Sequence, residues 1–299
     1  MNRQFWLNCG VLRLFDEFEA LPDKSVPSFQ YDLSDPEFGR LRGVYRLDQV
    51  AGSGDDWSKI LNLMQWMAEG IWHKGDISKA LPEVCRSLPM NAFGLLEYSF
   101  GKGQDCGINC YMLSIVLTEA CLSLGLRSRL VSLNPLNPYD YDNHVVVVAW
   151  CASQSKWVMI DPSYNTYLSD SEGRILSPWE TRDRFCQHKP VFCSDGLSYN
   201  RGRYSPEDYL TYMAKNLLYM HSPSFSGYGS TTTSCRPWLT LAPKHLDVCK
   251  RETYNMKWHK EGESGNWEHD ELCIAVEKRR LESGHLCTSS IASFAQAPN

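Results

Sequence analysis

The sequence lacks the features that mark nucleic-acid-binding, membrane-spanning and secreted proteins. Its 30 Lys and Arg residues are outnumbered by 35 Asp and Glu residues, so the net charge is −5 and no basic surface for nucleic acid is expected. The longest strongly apolar run, Val145 to Ala149, is far too short to span a bilayer. Asn8, Arg13 and Asp16 interrupt the apolar positions at the start of the chain, unlike a secretory signal. We therefore expect a cytoplasmic protein whose partners include neither nucleic acid nor a membrane.

The sequence is also poor in cysteine for a disulfide-stabilised scaffold, with twelve among 299 residues. Cys121 and Cys151 lie in apolar segments, which favours reduced thiols packed as small hydrophobic side chains. Cys106 and Cys110 stand four residues apart, directly before an apolar segment with helical periodicity. This spacing alone allows a disulfide, a pair of metal ligands or a catalytic thiol.

The centre of the chain predicts a helix followed by three strands. Apolar periodicity indicates a helix from Cys110 to Leu124, with Gly125 as the residue that ends it. A strand follows at 127–133. The runs HVVVVAW and KWVMID, which begin at His144 and Lys156, predict two strands joined as a hairpin. We therefore expect an α+β fold in which the helix packs on an antiparallel sheet.

Turn and capping signals organise the rest of the chain. Further helices are predicted after Asp55 or Asp56, after Ser177, whose capping box is closed by Glu180, and after Ser205, which Pro206 follows. The Ser/Thr/Gly-rich segment 222–234 predicts a mobile loop. Segments 236–243 and 253–261 are interpreted as edge strands, and 269–284 as a helix.

The predicted hairpin places a histidine and an aspartate on one face. If His144 pairs with Asp161, Trp150 lies opposite Ser155 and residues 151–154 form the turn, a common hairpin length. The imidazole and the carboxylate then project from the same face, within cross-strand reach. A shift of one residue would turn one of them away, so the interpretation depends on the register. Either residue alone is more often structural, and only their combination with a thiol points to catalysis.

A thiol at the start of the central helix completes this combination. Asn109 can cap the helix, which makes Cys110 its first residue. Unpaired backbone N–H groups and the helix dipole stabilise a thiolate there, and a neighbouring imidazolium lowers the thiol pKa further. Gln104, six residues before Cys110, is a candidate oxyanion-hole donor or simply an exposed loop residue.

These residues resemble the transglutaminase-like superfamily of papain-like cysteine enzymes. That family has a Cys opening a helix, a glycine near the helix end, a GIPAR-like strand, a His on the next strand and a W..lDP motif. The counterparts here are Cys110, SLGLRSR (123–129), His144 and KWVMIDP (156–162). Fifteen residues separate Cys110 from Gly125, as in the family, whereas Cys106 is out of register. The match covers roughly residues 55–190.

The resemblance implies residue roles and a fold. Cys110 resembles the nucleophile, His144 the general base and acid, and Asp161 the residue that orients the imidazole, on a papain/transglutaminase-like core. Gln104 resembles the oxyanion glutamine of the papain family. The sequence departs from the family pattern at Ile108 and at 145–146, where many relatives have Gly and Ala-Trp.

The implied organisation is one compact unit with three parts. Residues 1–54 are interpreted as an irregular N-terminal wrap, 55–200 as the catalytic core and 201–299 as an extension of helices and strands. No cofactor is expected. The sequence contains no calcium loop of the alternating-acid type, so we do not expect calcium activation like that of animal transglutaminases.

Several functions remain open at this stage. The predicted activity is attack on the carbonyl of a peptide, amide or thioester substrate, which a carrier protein could hold. An amine or water then accepts the acyl group. A cysteine peptidase or amidase is one alternative, and a non-catalytic binding module on the same fold is another. A zinc site built from Cys186, His188 and Cys193, with Cys106 and Cys110 as further ligands, is the least favoured because no paired C-x2-C spacing is present.

Overall fold

A sheet of six strands lies at the centre of the computed structural model, which describes residues 1–77, 81–137, 140, 142–233, 237–248, 250 and 285–298. In spatial order its strands are β12 (His285–Thr288), β11 (Trp238–Leu241), β9 (Tyr219–Pro223), β2 (Ser128–Asn134), β3 (His144–Cys151) and β4 (Lys156–Ile160). Strands β11 and β12 pair in parallel, and the other neighbours are antiparallel. The fold is therefore α+β, as predicted, with one parallel pair in the sheet.

Helices and short strand pairs surround this sheet. The helices of the described segments are α1 (Arg3–Leu14), α2 (Pro36–Tyr45), α3 (Leu47–Ala51), α4 (Asp56–Gly70), α5 (Pro82–Ser87), α6 (Ala92–Ser99), α7 (Cys110–Ser123), α8 (Pro178–Cys186), α9 (Pro206–Asn216), α10 (Ser230–Thr233) and α11 (Ile291–Phe294). The short pairs are β1 (Gln30–Tyr31) with β10 (Phe225–Ser226), β5 (Leu168–Ser169) with β6 (Phe192–Cys193), and β7 (Ser198–Tyr199) with β8 (Gly202–Arg203). In the described ranges, no helix combines the length and apolar character that crossing a membrane requires.

Local capping fixes both ends of α7. The Asn109 side chain accepts a hydrogen bond from the Met112 N–H at 3.0 Å, so Cys110 is the first helical residue, as predicted. At the other end Gly125 has a φ of 80°, and its N–H donates to the Leu122 carbonyl. The Leu126 N–H donates to the Cys121 carbonyl, which completes a Schellman motif. A glycine is favoured here because other residues are strained at positive φ.

Both faces of the sheet are buried, and α7 covers one of them. Val145 and Val147 of β3 belong to the core that contains α7, whereas Val146 and Val148 belong to the core on the opposite face. The Ser114 hydroxyl of α7 donates to the Val145 carbonyl at 3.0 Å and so joins the helix to the strand. Each fully buried large apolar side chain contributes about 1.5–3 kcal/mol to folding, so this two-sided burial holds β3 firmly.

An arginine anchors the opposite core. Arg129 of β2 is fully buried, and its guanidinium carbon lies 3.9 Å from the Phe29 ring centroid and 4.2 Å from that of Trp157. It donates hydrogen bonds to the Tyr31 hydroxyl at 2.8 Å and to the Phe294 carbonyl at 2.7 Å. Segments from the beginning and the end of the chain are thereby attached to the central sheet.

The N-terminal region differs from its prediction. An irregular wrap was expected over residues 1–54, but α1, α2 and α3 lie within it. Asn2 and Asp35 cap the first two of these helices with their side chains. Both caps are short polar residues of the kind that favours helix starts, and Phe5, Cys9 and Leu12 bury one face of α1.

The hairpin forms as predicted, but its register is shifted by two residues. Val147 pairs with Ile160 and Cys151 with Lys156, so residues 152–155 form the turn and the predicted His144–Asp161 pairing is wrong. A 3-10 turn begins at Ala152, and Ser155 closes it with a left-handed φ of 51°. Because side chains alternate with a period of two, a shift of two residues leaves every side chain on its expected face.

The predicted mobile loop at 222–234 is also wrong over its described residues. It contains the end of β9, then β10 and α10, and Ser222, Ser224, Ser226 and Ser230 are buried. A buried serine hydroxyl needs a protein hydrogen-bond partner in place of water. Ser222 Oγ has one, because it donates to the Leu130 carbonyl at 2.8 Å.

The predicted strand at 236–243 corresponds to β11, which is internal rather than an edge because β9 and β12 flank it. The strand predicted at 253–261 and the helix predicted at 269–284 lie outside the described residues.

Candidate active site

The thiol of Cys110 lies at the junction of α7 with a second chain segment. Ile108, two residues before the thiol, pairs in parallel with His73: its N–H donates to the Trp72 carbonyl at 3.0 Å, and its carbonyl accepts from the Lys74 N–H at 2.8 Å. Cys110 is half-buried, and its backbone N–H belongs to the first turn of α7. The N–H groups of this turn lack partners within the helix, so they favour a negative charge on the thiol.

His144 and Asp161 form a buried pair at the ends of β3 and β4. Nε2 of His144 lies 2.6 Å from Oδ2 of Asp161, and both side chains are almost completely buried. Since the carboxylate accepts a hydrogen bond, Nε2 carries the proton, and Nδ1 is the nitrogen left to act on another group.

Asp161 receives further hydrogen bonds besides that of the imidazole. Tyr209 of α9 donates its hydroxyl proton to Oδ2 at 2.9 Å, and the backbone N–H groups of Ser163 and Tyr164 donate to Oδ1 at 2.9 and 3.4 Å. Burial raises the pKa of Tyr209 well above its ordinary value, so its hydroxyl remains a donor. The carboxylate is therefore fixed on both oxygens and in turn fixes the imidazole ring.

The thiol and the two imidazoles beside it are electrostatically coupled. Burial of Cys110 raises its pKa, but the nearby imidazoles of His144 and His73 lower it more, and the net result is a pKa of about 6. Burial of His144 lowers its pKa, but Asp161 and Cys110 raise it more, to about 10. Between these two values the thiolate–imidazolium pair is the stable form.

Tyrosine side chains surround the imidazole of His144. The ring of Tyr164 lies 5.7 Å from it and that of Tyr212 lies 5.3 Å from it, measured between centroids. Tyr164 also contacts the rings of Tyr199 and Tyr204, at 5.3 and 5.0 Å. These rings shield one side of the histidine from water.

His73 is a residue of this site that the sequence analysis missed. Its Nδ1 lies 2.8 Å from the Tyr199 hydroxyl, and its backbone N–H and carbonyl both bond to the Asn200 side chain. The motif IWHKG at 71–75 follows α4 immediately, and nothing in its local pattern shows that it meets a residue 37 positions later. A histidine between two glycines, Gly70 and Gly75, directly after a helix was the available signal.

Gln104 and Cys106 lie on the segment that leads into α7. Gln104 is exposed and begins a 3-10 turn, Gln104–Cys106, whose described contacts include none between its side chain and Cys110. Cys106 and Cys110 are both free thiols. The role of Gln104 stays a prediction.

Two of the residues proposed as zinc ligands, Cys186 and His188, contact other side chains. The Cys186 thiol lies 3.6 Å from the Arg182 guanidinium, and the His188 ring stacks on Trp6 with centroids 5.2 Å apart. Within the described residues, no group of three or more His, Cys, Asp or Glu side chains is arranged to hold a metal ion.

The geometry joins His144 to Asp161, and Cys110 lies near enough to His144 and His73 for both imidazoles to lower the pKa of its thiol. A thiolate attacks carbonyl carbon, an imidazolium gives its proton to a leaving group, and a carboxylate keeps the imidazole in one orientation. The arrangement can thus perform nucleophilic acyl chemistry.

Comparisons with known proteins add little to this picture. Neither a protein-family model nor a curated protein matches the chain. A solved structure of a candidate cysteine protease from Cytophaga hutchinsonii is similar, with 13% identity and a TM-score of 0.32. The match covers 60% of this chain and 57% of that protein, or little more than half of its length. Similarity at this level supports no conclusion about activity, so the function is inferred from the site itself.

Proposed function

We propose that this protein is a cysteine enzyme that transfers an acyl group through a thioester on Cys110, as the transglutaminase-like superfamily does. The observation that carries the proposal is the buried His144–Asp161 pair, with Nε2 and Oδ2 2.6 Å apart, near enough to Cys110 for the imidazole to lower the pKa of its thiol. The stabilised thiolate is the nucleophile, His144 is the general acid and base, and Asp161 orients the ring.

The reaction begins with attack on the donor carbonyl. The Cys110 thiolate forms a C–S bond to the carbonyl carbon, and the electron pair of the C=O bond moves to oxygen. The C=O bond then re-forms, and the amine or thiolate leaving group departs. The leaving group takes the proton from Nδ1 of His144, whose Nε2 stays bonded to Asp161.

A second substrate then resolves the acyl-enzyme. An amine or a water molecule attacks the thioester carbonyl while Nδ1 of His144 accepts its proton, and the Cys110 thiolate leaves. An amine acceptor gives an amide, as in a transglutaminase or an amide-forming transferase, whereas water gives an acid, as in a peptidase or amidase. Peptides, amides and thioesters, including carrier-bound thioesters, are the donor classes with the required carbonyl. The chemistry assigned to these residues needs no cofactor.

A mass measurement tests this proposal. We would incubate the protein and its Cys110→Ala variant with an N-acetylcysteamine thioester and with a peptide amide, each with and without ethanolamine, and measure intact mass. We expect an acyl adduct on the native protein, its absence from Cys110→Ala, and faster loss of the adduct when ethanolamine is the acceptor.

The Cys106→Ala variant is the matched control, because Cys106 is the nearest other cysteine in the sequence and a free thiol. It should form the adduct normally. An adduct that persists in Cys110→Ala would exclude Cys110 as the nucleophile. A native protein that acquires no adduct from either donor would support the binding-module alternative.

A further inference from the structure

The imidazole of His73 lies near the Cys110 thiol but is not one of the three residues Cys110, His144 and Asp161. Nε2 of His73 is shielded from solvent and has no hydrogen-bond partner among the described residues, yet its imidazole is close enough to Cys110 to lower the thiol pKa. A buried polar atom without a partner costs about 1–3 kcal/mol, so its retention at this position calls for a function.

The hairpin formed by β7 and β8 holds His73 in place. Tyr199 and Asn200 lie at the turn between β7 and β8, and Asn200 brackets the His73 backbone: its Oδ1 accepts from the N–H at 2.7 Å, and its Nδ2 donates to the carbonyl at 3.0 Å. The Tyr199 hydroxyl contacts Nδ1 at 2.8 Å. In the same turn, the Arg201 guanidinium lies over the Trp72 ring at 4.2 Å. The backbone and ring of His73 are thereby fixed at three points.

The neighbouring charge selects the tautomer. Nδ1 of His73 contacts the Tyr199 hydroxyl, which leaves Nε2 as the ring nitrogen able to act on Cys110. A nearby thiolate favours a proton on Nε2, because a lone pair there would face a negative charge. Nδ1 then accepts a hydrogen bond from the Tyr199 hydroxyl, whose pKa burial raises, so that it stays protonated. His73 thus presents an N–H group next to Cys110, with its direction set by Tyr199.

We propose, on the basis of the acyl-transfer function above, that Nε2–H of His73 and the backbone N–H of Cys110 together form the oxyanion hole. The role that the sequence suggested for Gln104 would then belong to His73. The two donors come from segments joined through the parallel pairing of His73 with Ile108, so their relative position is fixed before substrate arrives. Preorganised donors of this kind stabilise charge that develops in the transition state.

His73 neither gains nor loses a covalent bond in this step. When the thiolate attacks, the carbonyl oxygen takes the electron pair of the C=O bond and accepts the hydrogen bond from Nε2. The proton remains on His73, and the bond weakens again when the C=O bond re-forms. Proton transfer to the leaving group stays with His144.

Two reagents distinguish stabilisation of the oxyanion by His73 from an effect of His73 on the pKa of the Cys110 thiol. Iodoacetamide alkylates a thiolate without forming an oxyanion, whereas p-nitrophenyl acetate acylates it through one. We would measure both rates at Cys110 by peptide mass mapping in the native protein and in the His73→Ala, His73→Gln and Tyr199→Phe variants. Both reagents react with the same thiolate at a given pH, so the ratio of acylation to alkylation cancels the fraction of thiolate and reports on the oxyanion.

We expect His73→Ala to reduce this ratio about 100-fold, the usual effect of losing one oxyanion-hole donor. His73→Gln should recover most of the loss, because its Nε2 amide can occupy the position of the imidazole N–H. Tyr199→Phe, which affects a positioning residue, should reduce the ratio by about 10-fold with unchanged alkylation, within the range that loss of a supporting hydrogen bond produces. The control His245→Gln alters an exposed histidine paired with Glu17 and should leave both rates unchanged.

The outcomes distinguish this inference from the proposed function. If His73→Ala acylates at the native rate once the thiolate is formed, His73 only adjusts the thiol and the oxyanion role is wrong. If the native protein alkylates at Cys110 but is never acylated there, both the acyl-transfer function and this inference fail. An equal change in both rates in His73→Ala, which leaves the ratio unchanged, also overturns the inference.

Discussion

The imidazole of His144 reaches the carboxylate of Asp161 diagonally across two strands, with Nε2 and Oδ2 2.6 Å apart. Direct pairing on these strands joins Val147 to Ile160, and Asp161 follows one residue later, on the same face as His144. Diagonal neighbours on one face of an antiparallel pair remain within reach of long or aromatic side chains. The acid–base partners therefore depend on a shared face rather than on direct opposition.

This relationship predicts the effect of Asp161→Asn. Removing the charge lowers the His144 pKa, so the imidazolium that stabilises the Cys110 thiolate is lost at neutral pH. The pH midpoint of iodoacetamide alkylation at Cys110, about 6 in the native protein, should rise by about 1–3 units. Alkylation rates across a pH series measure this shift. Asp183→Asn, which alters an aspartate on the α8 surface, should leave the midpoint in place.

The hydroxyl of Tyr209 should contribute measurably to stability. It donates to the Asp161 carboxylate at 2.9 Å inside the core, and hydrogen bonds to charged groups contribute about 1.5–3 kcal/mol. Tyr209→Phe should lower the free energy of unfolding in urea by about that amount. Tyr228→Phe removes a hydrogen bond to the neutral Asn91 side chain and should cost only about 0.5–1.5 kcal/mol. Equal losses in the two variants would contradict a special contribution from the charge.

Gly107 and Gly125 should respond differently to alanine. A Cβ on Gly107 would lie 3.0 Å from the Lys74 Cβ and 3.1 Å from the Trp72 carbonyl oxygen, so Gly107→Ala pushes the His73 segment away from the thiol. A Cβ on Gly125 meets nothing within 4 Å, but φ is +80° there. Gly125→Ala should thus cost about 1 kcal/mol of stability with normal acylation, whereas Gly107→Ala should slow acylation of Cys110. Urea unfolding and p-nitrophenyl acetate kinetics on both variants make the comparison, and equal acylation rates would disprove it.

Glu119, in the middle of α7, should make stability depend on pH. Burial raises its pKa from 4.5 to about 8, against the opposing effect of hydrogen bonds from the Ala92 and Gly229 N–H groups. A raised folded-state pKa means that the folded protein binds the proton more tightly. Its contribution to stability is therefore complete below about pH 4.5 and is lost as pH rises through about 8.

The unfolding free energy should accordingly fall across this range, by up to about 1.4 kcal/mol per pH unit from this group. Glu119→Gln should remove this component of the slope, as measured by urea titrations at a series of pH values. Glu83→Gln changes a largely exposed glutamate on α5 and should keep the slope. A Glu119→Gln slope equal to that of the native protein would show that the carboxyl does not titrate there.

Local chemistry made several elements predictable from the sequence. Asn109 and Gly125 mark the two ends of α7, and the caps at Asp55, Ser177 and Ser205 start the helices predicted after them. Side chains alternate between the two faces of β3 and β4, which also assigns His144 and Asp161 to one face. A register that is wrong by two residues does not change this assignment. Such features depend on contacts within a few residues, which the sequence displays directly.

The exact register and the buried serine segment were not predictable in this way. Ser155 adopts a left-handed conformation that shifts the turn by one residue, and a serine has no strong preference that announces it. Segment 222–230 was predicted to be a loop because hydrogen-bond partners such as the Leu130 carbonyl, which accepts from Ser222, lie on a strand that is distant in the sequence.

The sequence by itself determined the candidate nucleophile, its place at a helix start, and the face shared by the histidine and the aspartate. Only the tertiary structure decided what surrounds them. Tyr209 fixes Asp161 from a helix 48 residues later. His73, which Tyr199 and Asn200 hold, pairs with Ile108 near the thiol although it lies 37 residues before Cys110. These contacts cross between segments that have no local pattern in common, so the packing of the whole chain was required to bring them together.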